Sequence, residues 1–259
     1  MELSYAEAIC RAAAAAEREA AELMKHARSI LAESKSGRRD VVTEYDRRVQ
    51  ELLTERLHAA APEARFFCEE TEERARADEG RVFIVDPIDG TMNFVHGFHH
   101  SCLSVAFAED GVVWAGAIYN PYLDEMFTAV RGQGAFLNGR PIRVTEEALA
   151  DSVVCIGTAP YDPERTDRSF ALARKLFDAS LDIRREGSAA LDLCSVAAGR
   201  AGLYAELAVS LWDYAAGALL VREAGGLCLQ PDGSELPADG GRPGIVAASP
   251  ACMREFLAL

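Results

Sequence analysis

The period of the hydrophobic positions changes twice along the chain. Residues 2–33 are rich in Ala, Glu and Leu and contain no Gly or Pro. Leu3, Ala6, Ile9 and Ala13, then Leu23, Ala27 and Ile30, recur at helical spacing, which predicts one long amphipathic helix. Residues 34–40 (SKSGRRD) form a polar, Gly-containing break. A second helix is expected from about Thr43, with Val49, Leu52, Leu53 and Leu57 on one face, ending before Pro62. Beyond it the period shortens. The segments 82–86, 101–110, 111–120 and 124–130 are β-branched and aromatic runs separated by turn residues, as strands require. Glu109-Asp110-Gly111 and Asn138-Gly139 read as hairpin turns, the second pairing GAFL with PIRV.

From about residue 144 strands and helices alternate. Segments 151–158, LDIRREG, 202–207, GLCLQ and GIVAAS read as strands. Helices are expected at 168–177, at SAALDLCSVAAG before Gly199, at 212–226 before two glycines, and at PACMREFLAL. Helices first, then antiparallel strands, then βαβ-like alternation imply an α+β protein. Its two halves, 1–143 and 144–259, are expected to pack as one body.

Composition narrows the function. At 49% hydrophobic and 26% charged residues, the chain can build a sizeable core. Its 41 acidic against 27 basic side chains give a net charge of −14. Direct nucleic-acid binding and an anionic membrane surface are therefore disfavoured. Seven cysteines, none in a C-x-x-C pair, read as reduced thiols in a cytoplasmic protein. The N-terminus lacks the basic and apolar regions of a secretory signal, and the five alanines 12–16 are far too short to span a membrane.

Candidate chemistry concentrates in VFIVDPIDGTMNF (82–94). An apolar strand delivers Asp86 at its end, Pro87 stops the ladder, and Asp89 follows three residues later. Gly90-Thr91 then opens a short helix whose amides could meet a phosphate. A D-x-x-D-G turn and a metal site use the same residues, so this segment alone fits both. Further acids are Glu69-Glu70 after Phe66-Phe67, Asp213 after Trp212, and Asp46 in VVTEYD. Each has a structural reading too: an exposed acid pair, a helix N-cap and a surface charge.

These segments together resemble the inositol monophosphatase family. DPIDGTMNFVHG is similar to that family's first signature, and WDYAAGALLVREAGG to its second. VTEYD, RREGSAALDLCSVAAGR and YAEL resemble three further elements, in the same order, over about residues 35–226. The resemblance implies a layered αβαβα sandwich of the inositol monophosphatase / fructose-1,6-bisphosphatase type. It implies a Mg2+-dependent phosphomonoesterase acting on inositol monophosphate or a similar small polyol or sugar phosphate. Glu69, Asp86, Asp89, Asp213 and the Ile88 carbonyl would hold two or three Mg2+ ions. Glu69 and Thr91 would orient and deprotonate the attacking water, with Asp46 bonded to Thr91. Amides of Gly90 and Thr91 would hold phosphate oxygens, while Ser188, Ala189 and Glu206 would meet the alcohol. A homodimer is also implied.

The resemblance leaves related readings open: a histidinol-phosphate or fructose-1,6-bisphosphate phosphatase, or an accessory protein of transcription complexes. The chain differs from the family pattern at Cys68 before Glu69, at Gly97-Phe98-His99-His100, and at AVSLWD (208–213). His96, His99, His100 and Cys102 invite a zinc reading, but their spacing fits no standard structural-zinc pattern. Gly132-Gln133-Gly134 reads as a hairpin bulge. Arg38-Arg39 and Arg184-Arg185 read as solvated faces, with Arg185 a candidate for a subunit interface.

Overall fold

The computed structural model describes residues 1–28, 30–37, 39–71, 76–237 and 239–259, so Arg38 of the basic pair lies outside it. Helix α1 (Leu3–Lys25) buries a stripe of mostly small residues, including Ala6, Ile9, Ala13, Ala16 and Ala20. Beside it, α2 (Glu44–Ala60) buries Val49, Leu53 and Leu57. Their small and branched side chains let both helices lie flat on a sheet. That sheet has seven strands in the order β3-β4-β5-β6-β7-β8-β9. They are β3 (Arg65–Cys68), β4 (Arg81–Asp89), β5 (Cys102–Glu109), β6 (Val112–Asn120), β7 (Glu125–Val130), β8 (Ala135–Leu137) and β9 (Arg140–Ile142). Only the β3/β4 pair is parallel.

Both faces of this sheet are covered, which explains the unbroken apolar run of β5. Leu103, Val105 and Phe107 point to the α1/α2 layer, whereas Cys102, Ala106 and Ala108 point to the opposite core. On that opposite side lie α5 (Ala189–Ala197) and α6 (Leu211–Glu223), whose apolar character extends nearly all round. They are sandwiched by a second sheet in the order β11-β10-β12-β14-β13. Its strands are β10 (Val153–Ile156), β11 (Asp182–Arg184), β12 (Leu203–Glu206), β13 (Leu227–Leu229) and β14 (Ile245–Ala248). Pairs β10/β11 and β10/β12 are parallel and the rest antiparallel. Val154, Ile156, Leu203 and Val246 face outward onto α4 (Thr166–Ala179) and α7 (Pro250–Phe256), closing a third core. The architecture is a layered α+β protein with alternating helix and sheet layers, αβαβα.

Two local expectations need correction. The first helix stops at Lys25, and residues 32–43 instead form a hairpin, β1 (Ala32–Gly37) with β2 (Asp40–Thr43). Residues 32–37 show no apolar alternation, so the strand rests on backbone pairing with β2, which periodicity does not report. The Gly132–Gly134 segment is no bulge, because the β7/β8 register is unbroken. It is a turn whose Gly132 and Gly134 amides donate to the Glu223 carboxylate at 2.8 and 2.9 Å. All seven cysteines are buried and none forms a disulfide. No described helix is long and apolar enough to cross a membrane.

Candidate active site

Strand β4, next to the edge strand β3, ends on Asp86, Ile88 and Asp89. Asp86 Oδ1 accepts the Ile88 amide at 3.0 Å, within the register shift that β4 makes between Asp86 and Asp89. Gly90 then adopts φ +86°, and a Cβ there would meet the carbonyls of His100 and Gly187 at 3.0 and 3.2 Å. The short helix α3 (Thr91–His96) follows. Four other chain segments end beside this point: β3 at Cys68, followed by Glu69; the α5 N-terminus; the α6 N-terminus; and β12 at Glu206. Every residue to which the resemblance gives a metal, catalytic or substrate role lines one cavity of about 230 Å³, apart from Asp46. Asp46 sits behind the wall, with Oδ1 3.1 Å from the Thr91 hydroxyl.

Two of the acids use the same local device. Asp46 is the third helical residue of α2, and its Oδ2 accepts the Thr43 amide at 2.7 Å. Asp213 is the third residue of α6, and its Oδ2 accepts the Ser210 amide at 2.9 Å. Neither is an N-cap; each is the acid that reaches back to one, in the capping-box manner. One oxygen satisfies the helix start; the other remains for the cavity in Asp213 and accepts the Thr91 hydroxyl in Asp46. Asp89 does something comparable across elements. Its Oδ2 accepts the Ser188 hydroxyl at 2.6 Å and the Ala190 amide at 2.7 Å, so it caps α5 from strand β4. The Ser188 hydroxyl is therefore committed to Asp89 rather than free.

Asp86, Asp89 and Asp213 place carboxylate oxygens within 4.8 Å of one another. Burial, followed by repulsion from Glu69, Asp89 and Asp213, pushes Asp86 well above the ordinary carboxylate range. Asp213 is raised in the same way by burial and by Asp89 and Glu69. Burial lifts Asp89 to about 6 although Ser188 and Ala190 stabilise its anion. Glu69 is pushed up to about 7, again chiefly by burial, despite Lys35 Nζ at 3.0 Å. Such a group of hard oxygen donors with uncompensated charge fits a hard divalent cation. Among the described residues it is the single cluster of three metal-capable side chains. The histidine loop does not form another: His99 stacks on Tyr122 and His100 lies 3.2 Å from Glu186.

Glu206 closes the other side of the cavity. Its Oε1 accepts the Ala159 amide and its Oε2 the Tyr204 hydroxyl, both at 2.7 Å. It fits only because residue 157 is glycine, where a Cβ would lie 1.9 Å from Oε2. Among the cavity residues that escaped the sequence reading are Lys35, Tyr161 and Arg242, which carry no periodic or motif signal, and Gly157. Lys35, from β1, bridges Glu69 and Glu70. Burial opposes its charge, but attraction to those two acids outweighs it and raises its pKa. Arg185, expected on a solvated face or an interface, also lines the cavity.

Comparison with known proteins agrees with this geometry. The sequence model of the inositol monophosphatase family matches residues 3–258. An inositol-1-monophosphatase of Rhizobium meliloti is 40% identical over 87% of this chain and 82% of its own length. A Nus factor SuhB of Pasteurella multocida is 39% identical over 84% of this chain and 81% of its own. The crystal structure of extragenic suppressor protein suhB from Bartonella henselae superposes with a TM-score of 0.87 at 36% identity, covering 97% of this chain and 96% of that one. With the match running almost from end to end, through both sheets and every acid of the cluster, this chain belongs to the inositol monophosphatase family.

Proposed function

We infer that this protein is a Mg2+-dependent phosphomonoesterase acting on inositol monophosphate or a similarly small polyol or sugar phosphate. The observation that carries the reading is the buried group Asp86, Asp89 and Asp213, with Glu69 beside it, opening into a polar cavity. Two or three bound Mg2+ ions would neutralise the phosphate and acidify the attacking water. The holders are Glu69, Asp86, Asp89, Asp213 and the Ile88 carbonyl. Glu69 takes the proton of the nucleophilic water. Thr91 orients that water, and its hydroxyl is itself held between Asp46 Oδ1 at 3.1 Å and the Ile88 carbonyl at 3.0 Å. Amides of Gly90 and Thr91 donate to phosphate oxygens. Glu206 has spare lone pairs for substrate hydroxyls, with Ser188 and Ala189 beside it.

The same reading includes division into halves at 143/144, supported by each sheet being confined to one half. It includes a homodimer, and a cytoplasmic location supported by the unbridged cysteines. The −14 charge argues against direct nucleic-acid or membrane contact. Fructose 1,6-bisphosphate and histidinol phosphate are the alternative substrates. A second role, as an accessory protein of transcription complexes, is favoured by the relative named Nus factor SuhB. A variant lacking the acid cluster that complements a deletion would support it. The phosphatase reading is tested directly. Purified protein should release phosphate from inositol 1-phosphate with Mg2+ and lose this activity in EDTA. Asp213→Asn should lose at least about 100-fold in rate. Release that persists in EDTA, or in Asp213→Asn, refutes it.

A further inference from the structure

Two turns share the work of the site. Asp89, Gly90 and Thr91 belong to the turn between β4 and α3, whereas Ser188 and Ala189 belong to the turn between β11 and α5. The turns come from different sheets, yet their backbones nest. Gly90 packs on the His100 and Gly187 carbonyls. Gly187, with φ +86°, has Asn93 Nδ2 3.3 Å from where its own Cβ would stand. Glycine on both sides permits this approach.

Asn93 occupies the junction. Its Nδ2 donates to the His100 carbonyl at 2.7 Å and to the Glu186 carbonyl at 2.8 Å. A primary amide carries two N–H groups, so both are spent. Neither carbonyl has another donor among the described residues. The Asn93 carbonyl in turn accepts the Phe98 amide at 2.9 Å. One residue thus holds both ends of the Phe98–His100 loop, whose middle residue, His99, is in the left-handed region at φ +57°. Such a conformation costs a non-glycine residue energy and persists where its neighbours over-determine it. His100 Nε2, 3.2 Å from Glu186 Oε2, rests on the β11–α5 turn as a second strut. Asn93 itself stands outside the cavity, so its effect passes through what it holds.

What it holds is the alcohol side. Asp89 ties down Ser188 and Ala190 at the far end of the β11–α5 turn. Asn93 ties down Glu186 at the near end. Between these anchors Gly187, Ser188 and Ala189 line the cavity. Without Asn93 the Asp89 anchor remains, and the turn is free to pivot about the start of α5. A displacement of about 1 Å at a substrate contact can cost about 100-fold.

We propose that Asn93 is a positioning residue for the substrate alcohol. By pinning the β11–α5 turn to the β4–α3 turn, it sets the spacing between the phosphate-binding amides and the residues that meet substrate hydroxyls. The proposal rests on the phosphatase reading and deepens it. The test is steady-state kinetics at saturating Mg2+ on inositol 1-phosphate and on p-nitrophenyl phosphate, whose leaving group offers no further hydroxyl. In Asn93→Ala, KM for inositol 1-phosphate should rise by about tenfold or more. Its kcat, and both constants for p-nitrophenyl phosphate, should stay within about twofold of the parent. Asn93 is half-buried, so water can replace the lost amide, and the melting temperature checks folding. Asn93→Ser keeps one donor and carries the same test, with a smaller rise in KM, if the alanine variant does not fold. An unchanged KM for inositol 1-phosphate overturns the proposal. So does an equal loss on both substrates, which is what a general loosening of the fold gives. A parent protein that cleaves p-nitrophenyl phosphate but not inositol 1-phosphate overturns the positioning role and leaves the phosphatase chemistry standing. No Mg2+-dependent release from either substrate overturns the phosphatase reading and the proposal with it.

Discussion

Replacing Asp89 with Asn should stabilise the metal-free protein while removing its response to Mg2+. The exchange is nearly isosteric. The Asn oxygen can keep both the Ser188 hydroxyl and the Ala190 amide, which now bond Asp89 Oδ2 at 2.6 and 2.7 Å. The new amide nitrogen would face Asp86 and Asp213 in place of a third negative charge. Burial raises the Asp89 pKa from an ordinary 3.8 to about 6. Two pKa units correspond to about 3 kcal/mol once the group is fully ionised. Because the folded pKa is the higher one, this penalty is absent below about pH 4. It grows as the pH rises through 6 and is complete by about pH 8. That shift is already the net of burial and of the two bonds that favour the anion. The expectation is a gain of up to about 3 kcal/mol at about pH 8, or a rise of roughly 6–12 °C in Tm for a chain of this length.

The assay is thermal unfolding of both proteins in EDTA, at about pH 5 and about pH 8, repeated with saturating Mg2+. In EDTA the variant should melt higher at about pH 8, and the advantage should shrink at about pH 5. With Mg2+ the order should reverse, because a ligand at about 1,000 times its Kd stabilises by about 4.1 kcal/mol and the variant has lost a holder. A variant that melts below the parent in EDTA at about pH 8 would falsify the account of repulsion. An undiminished Mg2+ response would remove Asp89 from the cation site.

Three further outcomes follow from particular contacts. Gly157→Ala puts a Cβ 1.9 Å from Glu206 Oε2, so Glu206 must swing away; KM for a polyol phosphate should rise about tenfold, and an unchanged KM would remove Glu206 from substrate recognition. Thr91→Val deletes the hydroxyl between Asp46 and the Ile88 carbonyl; kcat should fall by about 100-fold with little change in Tm, and a retained kcat would exclude Thr91 as the water-orienting group. Glu17, on the inner face of α1, is fully buried, and burial holds its pKa well above the ordinary range. Glu17→Met should therefore stabilise the fold by about 1–3 kcal/mol, most at alkaline pH where the native carboxyl is forced to ionise, and melts across pH that show a loss would contradict this.

The parts of the fold visible in the sequence are those where a local pattern coincides with a tertiary need. The β5 run is apolar on both sides because both sheet faces are covered, and the hairpin at Asn138-Gly139 is dictated by its turn. The acids of the site were legible for a related reason. Asp46 and Asp213 begin helices, Asp86 and Asp89 end a strand, and each boundary leaves its own local signature. The β1–β2 hairpin had none, since Lys35 and its neighbours show no alternation and their partners lie across the chain reversal. Arg185 and Arg242 were invisible as a pair. Nothing local in either segment reports that the β11 turn and the approach to β14 meet over one cavity. Gly157 likewise looks like an ordinary strand-end glycine until Glu206 is seen to occupy its missing side chain.

The placement of the acids also explains how a protein of net charge −14 can host an anionic substrate. Glu69, Asp86 and Asp89 follow or end strands of the seven-stranded sheet, whereas Asp213 begins a helix in the layer beneath it. The set of four is therefore completed only when sheet and helices dock, and the repulsion between Asp213 and the other acids works against that docking. Asp89 resists this repulsion by tying the end of β4 to the start of α5 through Ser188 and Ala190. Divalent cations binding between the layers would turn the same repulsion into attraction, so that metal affinity is drawn from the strain of an otherwise unfavourable interface. The acids that make the empty site unstable are then the ones that reverse its field when loaded.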